Sequence, residues 1–317
     1  MRAYIIRRLL LVIPTLFLVT VIVFLSVRLI PGDVVEMMVS EHSGFVEVNL
    51  EDIRHSLGLD LPIHVQYGHW IEGIITRGDL GNSLWTGRSA TDEIRDRLPV
   101  SFELGLLAII IALMIALPVG VYSAIRQDTG GDYIGRGFAI ACIALPTFWT
   151  GTLVMVFPAV WWGWSPSVQY IPFVENPLGN LEQFIIPAIL LGMVLSGTTM
   201  RMTRTMMLEV LRQDYIRTAW AKGLRERTVL MRHSLKNALI PVVTIVGLQL
   251  PLLIGGSIIL ENIFCLPGIG VLMVEIINNR DYNVLSGINL FIASTVLLIN
   301  LVVDLTYSFL DPRVRYK

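Results

Sequence analysis

The sequence predicts an all-α integral membrane protein with six transmembrane helices. Three observations lead there. The 317 residues are 54% hydrophobic and only 15% charged, too apolar and too charge-poor for an ordinary water-soluble domain. Predominantly apolar windows of about 20 residues, the length that crosses roughly 30 Å of hydrocarbon, recur along the chain. The charge is segregated rather than mixed, although its formal sum is only -1. Peptide groups in lipid must pair within their own segment, which makes helices the default. The windows are longer than barrel strands and do not alternate as such strands would.

The expected spans are Leu9–Ile30, Pro99–Ala124, Ile134–Trp162, Phe184–Met200, Leu239–Leu260 and Val284–Leu310. The first is longer than the apolar core of a signal peptide and has no A-x-A site, so it reads as a retained span. Lysine and arginine orient the bundle. With both termini inside, the cytoplasmic groups are Arg2, Arg7 and Arg8; Arg126 and Arg136; nine basic residues from Arg201 to Lys236; and Arg313, Arg315 and Lys317. These are most of the 24 basic residues. The first outer segment, Pro31–Leu98, carries twelve acidic residues against five basic ones. Within it, Leu50–Leu57 and Pro62–Ile75 show helical apolar spacing (Ile63, Tyr67, Trp70, Ile71, Ile74), with Pro62 suited to a first helical position. Short amphipathic helices at the membrane surface or over the bundle are expected there. Trp161, Trp162, Trp164 and Tyr170 read as an interfacial aromatic belt.

Several chemistries are not expected. None of the three lysines, Lys222, Lys236 and Lys317, stands in a G-K-[ST] context, so the chain has no Walker A loop for nucleotide phosphates. His42, His55, His64 and His69 lack metal-ligand spacing, and no metal site is expected. Cys142 and Cys265 are too few for a disulfide framework and read as small buried hydrophobes. Gly255, Gly256 and Ser257 read as a small-residue patch for close helix packing, since the inner His233 lies on the opposite face and cannot serve Ser257 as a base. Arg28, Glu103 and Glu261 sit near outer ends of spans, where they snorkel or pair. Asp304, deeper in the last span, is expected to meet a polar group on another helix or a second subunit. An ion-coupled carrier would show more midplane charge and broken helices.

The segment between spans four and five carries the strongest signal. It reads DYIRTAWAKGLRERTVLMRHSLKNALIP from Asp214 to Pro241. The steps Leu208, Leu211, Tyr215, Ala219 and Lys222 predict that span four continues inward as a helix, ended by a left-handed turn at Gly223. Arg225 to Asn237 predicts a second short helix, with Pro241 in the first turn of span five. Ala219, Ala221 and Gly223 would let a partner approach closely, and the arginines supply directed donors. A stiff, basic helix–turn–helix tied at both ends to membrane spans suits a channel subunit driven by another polypeptide.

This segment resembles the cytoplasmic loop of binding-protein-dependent ABC importer permeases. The general motif E-A-A-x-x-x-G is met here by Arg217, Thr218 and Ala219 before Gly223, a departure from its first two positions. The version found in peptide permeases is similar throughout: D-Y-I-R-T-A-W-A-K-G-L from Asp214 and R-H-S-L-K-N-A-L-I-P from Arg232. Arg28 to Asp33, Leu57 to Pro62, Gly78 to Gly81, Arg97 to Pro99, Glu261 with Phe264 and Pro267 to Gly270, Arg280 to Tyr282, and Asp311 to Arg313 fit the same branch. The chain thus resembles the B-type permeases of dipeptide and oligopeptide importers.

The resemblance implies a type I importer permease fold in one transmembrane domain over 1–317, with an outer insertion at 31–98 and a coupling loop at 201–238. It implies that Asp214, Tyr215, Arg217, Thr218, Ala219, Lys222, Gly223, Leu224 and Arg225 receive an ATPase subunit. Its implied partners are a second permease, two ATPases holding ATP and Mg, an extracytoplasmic solute-binding protein and a peptide cargo, in the inner membrane of a bacterium or archaeon. Relatives that carry glutathione or nickel complexes leave the cargo open. Neither catalysis nor a cofactor in this chain nor a nucleic-acid partner is implied.

Overall fold

The computed structural model describes residues 2–29, 55, 60–167 and 169–310. The expected helix at Leu50–Leu57 lies, apart from His55, outside them. Among the described residues the fold is all-α, with one isolated antiparallel bridge between Asn82 and Ser89. Five helices are long and apolar enough to cross a membrane, and a bent pair counts as a sixth span if taken together.

Helix α1, Arg2–Arg28, shows most of its apolar side chains to the outside and buries Phe24 and Val27. Helix α2, Ile63–Arg77, starts after Pro62, which is its N-cap rather than its first residue. Its aromatic face leans on α1. The Tyr67 and Trp70 rings lie 5.4 and 5.5 Å from Phe24, and the Tyr67 and Thr20 hydroxyls are 2.8 Å apart. The Arg28 guanidinium stands 5.5 Å from the Phe24 ring.

Helix α3, Ala90–Ile125, begins well before the expected start at Pro99. Ser89 caps it by accepting from the Asp92 N–H, and Asp92 and Glu93 complement the first turn. It packs along α6, Pro177–Leu211, which starts with Pro177 after the Asn176 cap and runs past the expected Phe184–Met200 at both ends. A Cβ on Gly192 of α6 would stand 2.8 Å from the Ala108 carbonyl oxygen, so the backbones touch. Asn180 of α6 also donates to Glu103 of α3 at 3.3 Å.

Span three is not continuous. Helices α4, Gly130–Ala144, and α5, Thr147–Trp162, are bent by 92° at Leu145–Pro146. Pro146 contributes no N–H and holds Leu145 extended, with ψ 120. Trp161 and Trp162 at the end of α5 are largely exposed, as an aromatic belt requires.

Span five is broken as well, which corrects the continuous helix expected over Leu239–Leu260. Helix α8, Lys236–Gly247, gives way to two short pieces, α9, Leu252–Gly255, and α10, Ile258–Ile263. Pro241 lies inside α8 rather than in the first turn of the span. Gln249 in the first gap donates to the Leu195 carbonyl at 3.2 Å and the Thr199 hydroxyl at 3.1 Å. Gly255 ends α9, and Gly256 breaks the helix where the chain lies close against Ser101 of α3. Gly256 has φ +65, and a Cβ there would meet the Glu261 carboxylate at 2.2 Å.

Glu261 is fully buried. It accepts from Ser101 Oγ at 2.8 Å and from the backbone N–H groups of Gly270 at 2.8 Å, Ser257 at 3.2 Å and Val271 at 3.3 Å. Ser101 in turn accepts from the Ile269 N–H at 2.8 Å. One carboxylate thereby joins α3, the gap before α10 and the start of α11, Ile269–Asn278. Cys265, expected to be buried, is exposed with φ 53 in the turn that follows; Cys142 is buried.

Helix α12, Tyr282–Leu310, follows Asp281, which accepts from the Leu84 N–H at 3.2 Å. Burial pushes the Asp281 carboxyl above its ordinary range, and hydrogen bonds from Ser83, Leu84 and Val284 oppose that shift. Asp304 of α12 meets Arg8 of α1 at 2.6 Å, so its polar partner lies within the chain.

Replacing Glu261 with Ala strands several buried donors, each costing about 1–3 kcal/mol. The thermal midpoint of the detergent-solubilised protein is expected to fall by more in Glu261→Ala than in Glu261→Gln, which keeps one acceptor oxygen.

Candidate functional site

The basic segment folds as one short helix set beside the C-terminal end of α6. Span four does not continue into it. Helix α6 ends at Leu211, and Gln213 turns extended with ψ 147 before α7, Asp214–Ala221. Asp214 places its charge in the first turn of α7, where the helix dipole favours it. The Arg217–Asp214 contact at 3.3 Å is exposed on both sides and contributes little to stability.

The buried face of α7 is Ile216 and Ala219, which pack with Val229 and Val210 of α6. This corrects the expectation that Ala219 admits a partner: at 7% exposure it faces its own chain. Asp214, Tyr215, Arg217, Thr218 and Trp220 point outward, followed by Lys222, Leu224 and Arg225. Trp220 and Tyr215 are each 44% exposed and Leu224 38%, an apolar group within a basic surface. Trp220 was not among the residues read from the sequence. The available signal is the i, i+3 pair Ile216 and Ala219, which fixes the buried face and turns Trp220 out.

Gly223 ends the helix as expected, with φ +72. Its N–H bonds the Trp220 carbonyl at 2.9 Å, and the Leu224 N–H reaches the Ala219 carbonyl at 3.4 Å. The second short helix, expected over Arg225 to Asn237, is instead the inward continuation of span five. A turn at Glu226–Thr228 leads into π-helical Val229–Leu235 and on to α8. The wide turns let Ser234 Oγ bond the Val229 carbonyl at 3.1 Å, and Asn237 Nδ2 donates to the Tyr215 hydroxyl at 2.9 Å. Arg225, Arg227, Arg232 and Lys236 are exposed, which extends the basic surface onto this limb.

Sequence reasoning also missed a buried ion pair behind this surface. Arg204 of α6 holds Asp132 of α4 through Nε at 2.8 Å and Nη2 at 2.7 Å. Among the described residues no group of three His, Cys, Asp or Glu side chains is placed to hold a metal ion, and His55 pairs with Asp60 at 2.7 Å.

A bundle of membrane-length apolar helices with a short basic helix and an exposed aromatic group at one end defines a multi-pass membrane protein. Comparison by sequence places it. The chain belongs to the family of binding-protein-dependent transport system inner membrane components: that family matches residues 116–316, and its N-terminal part matches residues 1–105.

Among individual proteins, the chain is 38% identical over 340 residues to the dipeptide transport system permease protein DppB of Escherichia coli (strain K12), covering 100% of both chains. It is 40% identical over 316 residues, again 100% of both, to a Brucella abortus (strain 2308) protein provisionally named as a peptide transport system permease. The glutathione transport system permease protein GsiC of Salmonella choleraesuis is 37% identical over 314 residues, 99% of each chain.

Gly223→Val is expected to cost about 1–2 kcal/mol through its left-handed backbone. No atom lies within 4 Å of the added Cβ, so strain is the whole effect. Amide hydrogen exchange across α7 should rise in Gly223→Val and change little in Gly223→Asn.

Proposed function

We propose that this chain is the permease subunit of an ATP-driven importer for dipeptides and oligopeptides, and that it forms half of the translocation path with a second permease. In this reading the domain spans 1–317 and crosses the inner membrane of a bacterium or archaeon six times. The α4–α5 pair counts as span three. Both termini and the loop 201–238 lie in the cytoplasm, and the insertion 31–98 lies outside, where α2 leans on α1 and a solute-binding protein delivers cargo.

The chain acts as a transport component and not as an enzyme. Two ATPase subunits supply ATP and Mg. One of them receives α7 through Asp214, Tyr215, Arg217, Thr218, Lys222, Leu224 and Arg225, to which the exposed Trp220 is added. Ala219 and Gly223 serve from behind, one seating the helix and the other ending it. The observation that carries the reading is this outward face of α7, seated by Ile216 and Ala219 and tied by Tyr215 to Asn237. Full-length likeness to peptide permeases supports the cargo class.

The test is co-expression with the partner subunits, followed by gentle extraction and reconstitution. ATPase co-purification and ATP-dependent uptake of a labelled dipeptide are expected. The double substitution Arg217→Glu with Trp220→Ala should reduce both by about tenfold or more, the range for losing an aromatic and an arginine at an interface. Uptake of glutathione but not of dipeptides would reassign the cargo. Uptake by the chain alone under a proton or sodium gradient would overturn the reading. Asp304→Asn, which loosens the contact with Arg8, is expected to lower stability while leaving ATP-driven uptake in place.

A further inference from the structure

We propose that the buried pair Asp132–Arg204 is a positioning element that makes α4 follow α6, so that a displacement received by α7 moves span three as well as span four. This rests on the reading of α7 as the docking helix.

Asp132 is completely buried. Beside the two prongs of Arg204 it accepts from Ser123 Oγ of α3 and from the Asp128 N–H at 3.0 Å. Three helices and the turn between α3 and α4 thus converge on one carboxylate. A two-pronged arginine fixes orientation as well as distance. Separating such a pair in a dry interior leaves an uncompensated charge, so the contact does not slide. The backbones close around it: a Cβ on Gly120 of α3 would lie 2.9 Å from the Met200 carbonyl of α6, and one on Gly197 of α6 would lie 2.8 Å from the Ala139 carbonyl of α4.

The route from α7 to this point is short. Ile216 and Ala219 press on Val210, in the last turn of α6. From Arg204 to the end of α6 at Leu211 the helix rises about 10 Å without a break. At its far end α4 meets the 92° bend. Rotation of α4 as part of this block therefore swings α5; besides the pair, α4 meets α6 through Ile143 and the Ala139 backbone at Gly197 and through Ala139 against Met200.

The test uses the full complex, with the second permease, both ATPases and the binding protein, in proteoliposomes. The double variant Asp132→Asn with Arg204→Gln removes both charges and leaves neither stranded. Its ATPases should co-purify and hydrolyse ATP at near wild-type rates, while labelled dipeptide imported per ATP falls about tenfold, within the range for residues that modulate coupling. Arg204→Lys, which keeps the charge and loses one prong, should fall between. Unchanged import per ATP in the double variant would overturn the proposal, as would a loss of import matched by loss of bound ATPase, the signature of a merely structural staple.

A second measurement needs no change at the pair. Spin labels at Tyr133→Cys on α4 and Arg212→Cys after α6, with Cys142 and Cys265 replaced, should keep one separation with and without ATP; a separation that changes would overturn the proposal. If the wild-type ATPases fail to bind, the docking reading falls, and this inference falls with it.

Discussion

Every peptide group that the bilayer surrounds must find its partner inside the protein, and this architecture depends on how that demand is met where spans break. Intact helices meet it automatically. The interruptions at Leu145–Pro146 and at Gly256–Ser257 do not, although from Leu248 to Gly256 the amides still reach carbonyls three or four residues back. The second is closed by Glu261, which accepts from the Ser257 N–H in the gap and from the Gly270 and Val271 N–H groups at the start of α11, while Gln249 ties the turn before it to α6. Only a fully buried acidic group with two oxygens serves so many donors at once. The glycines at 256, 268 and 270 are small because that carboxylate occupies the space their side chains would need.

The inner end of the molecule uses a different device. Helix α7 is too short to hold its shape alone, and its order comes from the seat formed by Ile216, Ala219 and Val229 and from the Tyr215–Asn237 bond. Apolar contacts and one polar tie give a surface that is fixed in place while its outward face stays exposed. Arginine dominates the solvated rim, with Trp220, Tyr215 and Leu224 between, the composition expected at a protein interface. About two turns back along α6 from that seat, the Arg204–Asp132 contact joins α6 to α4 beside the close approach at Gly197.

The apolar, helical, membrane-length character of the chain and the left-handed turn at Gly223 were legible in the sequence, because each rests on local composition or on one residue's backbone freedom. Boundaries were less so. Caps at Ser89 and Asn176 begin α3 and α6 in polar sequence, before the apolar windows open. The breaks in spans three and five could not be read from hydropathy, since Pro146 and Gly256 sit in stretches as apolar as their surroundings. Ala219 was misread for a related reason: a small residue invites close approach, but only the phase set by Ile216 tells which surface approaches. The partners of Asp304 and Asp132, contributed by residues far along the chain, required the packed bundle.

The π-helical run Val229–Leu235 leads from α7 and its turn into span five. Each of its wide turns holds more residues than an α-turn, so part of the chain length is stored as girth instead of rise. Since one residue corresponds to about 100° of rotation in an α-helix, shortening this run by a single position would twist everything before it around the axis of the fifth span. The segment therefore sets the clocking between α7 and the apolar part of span five. Insertions and deletions here are constrained in angle before they are constrained in distance.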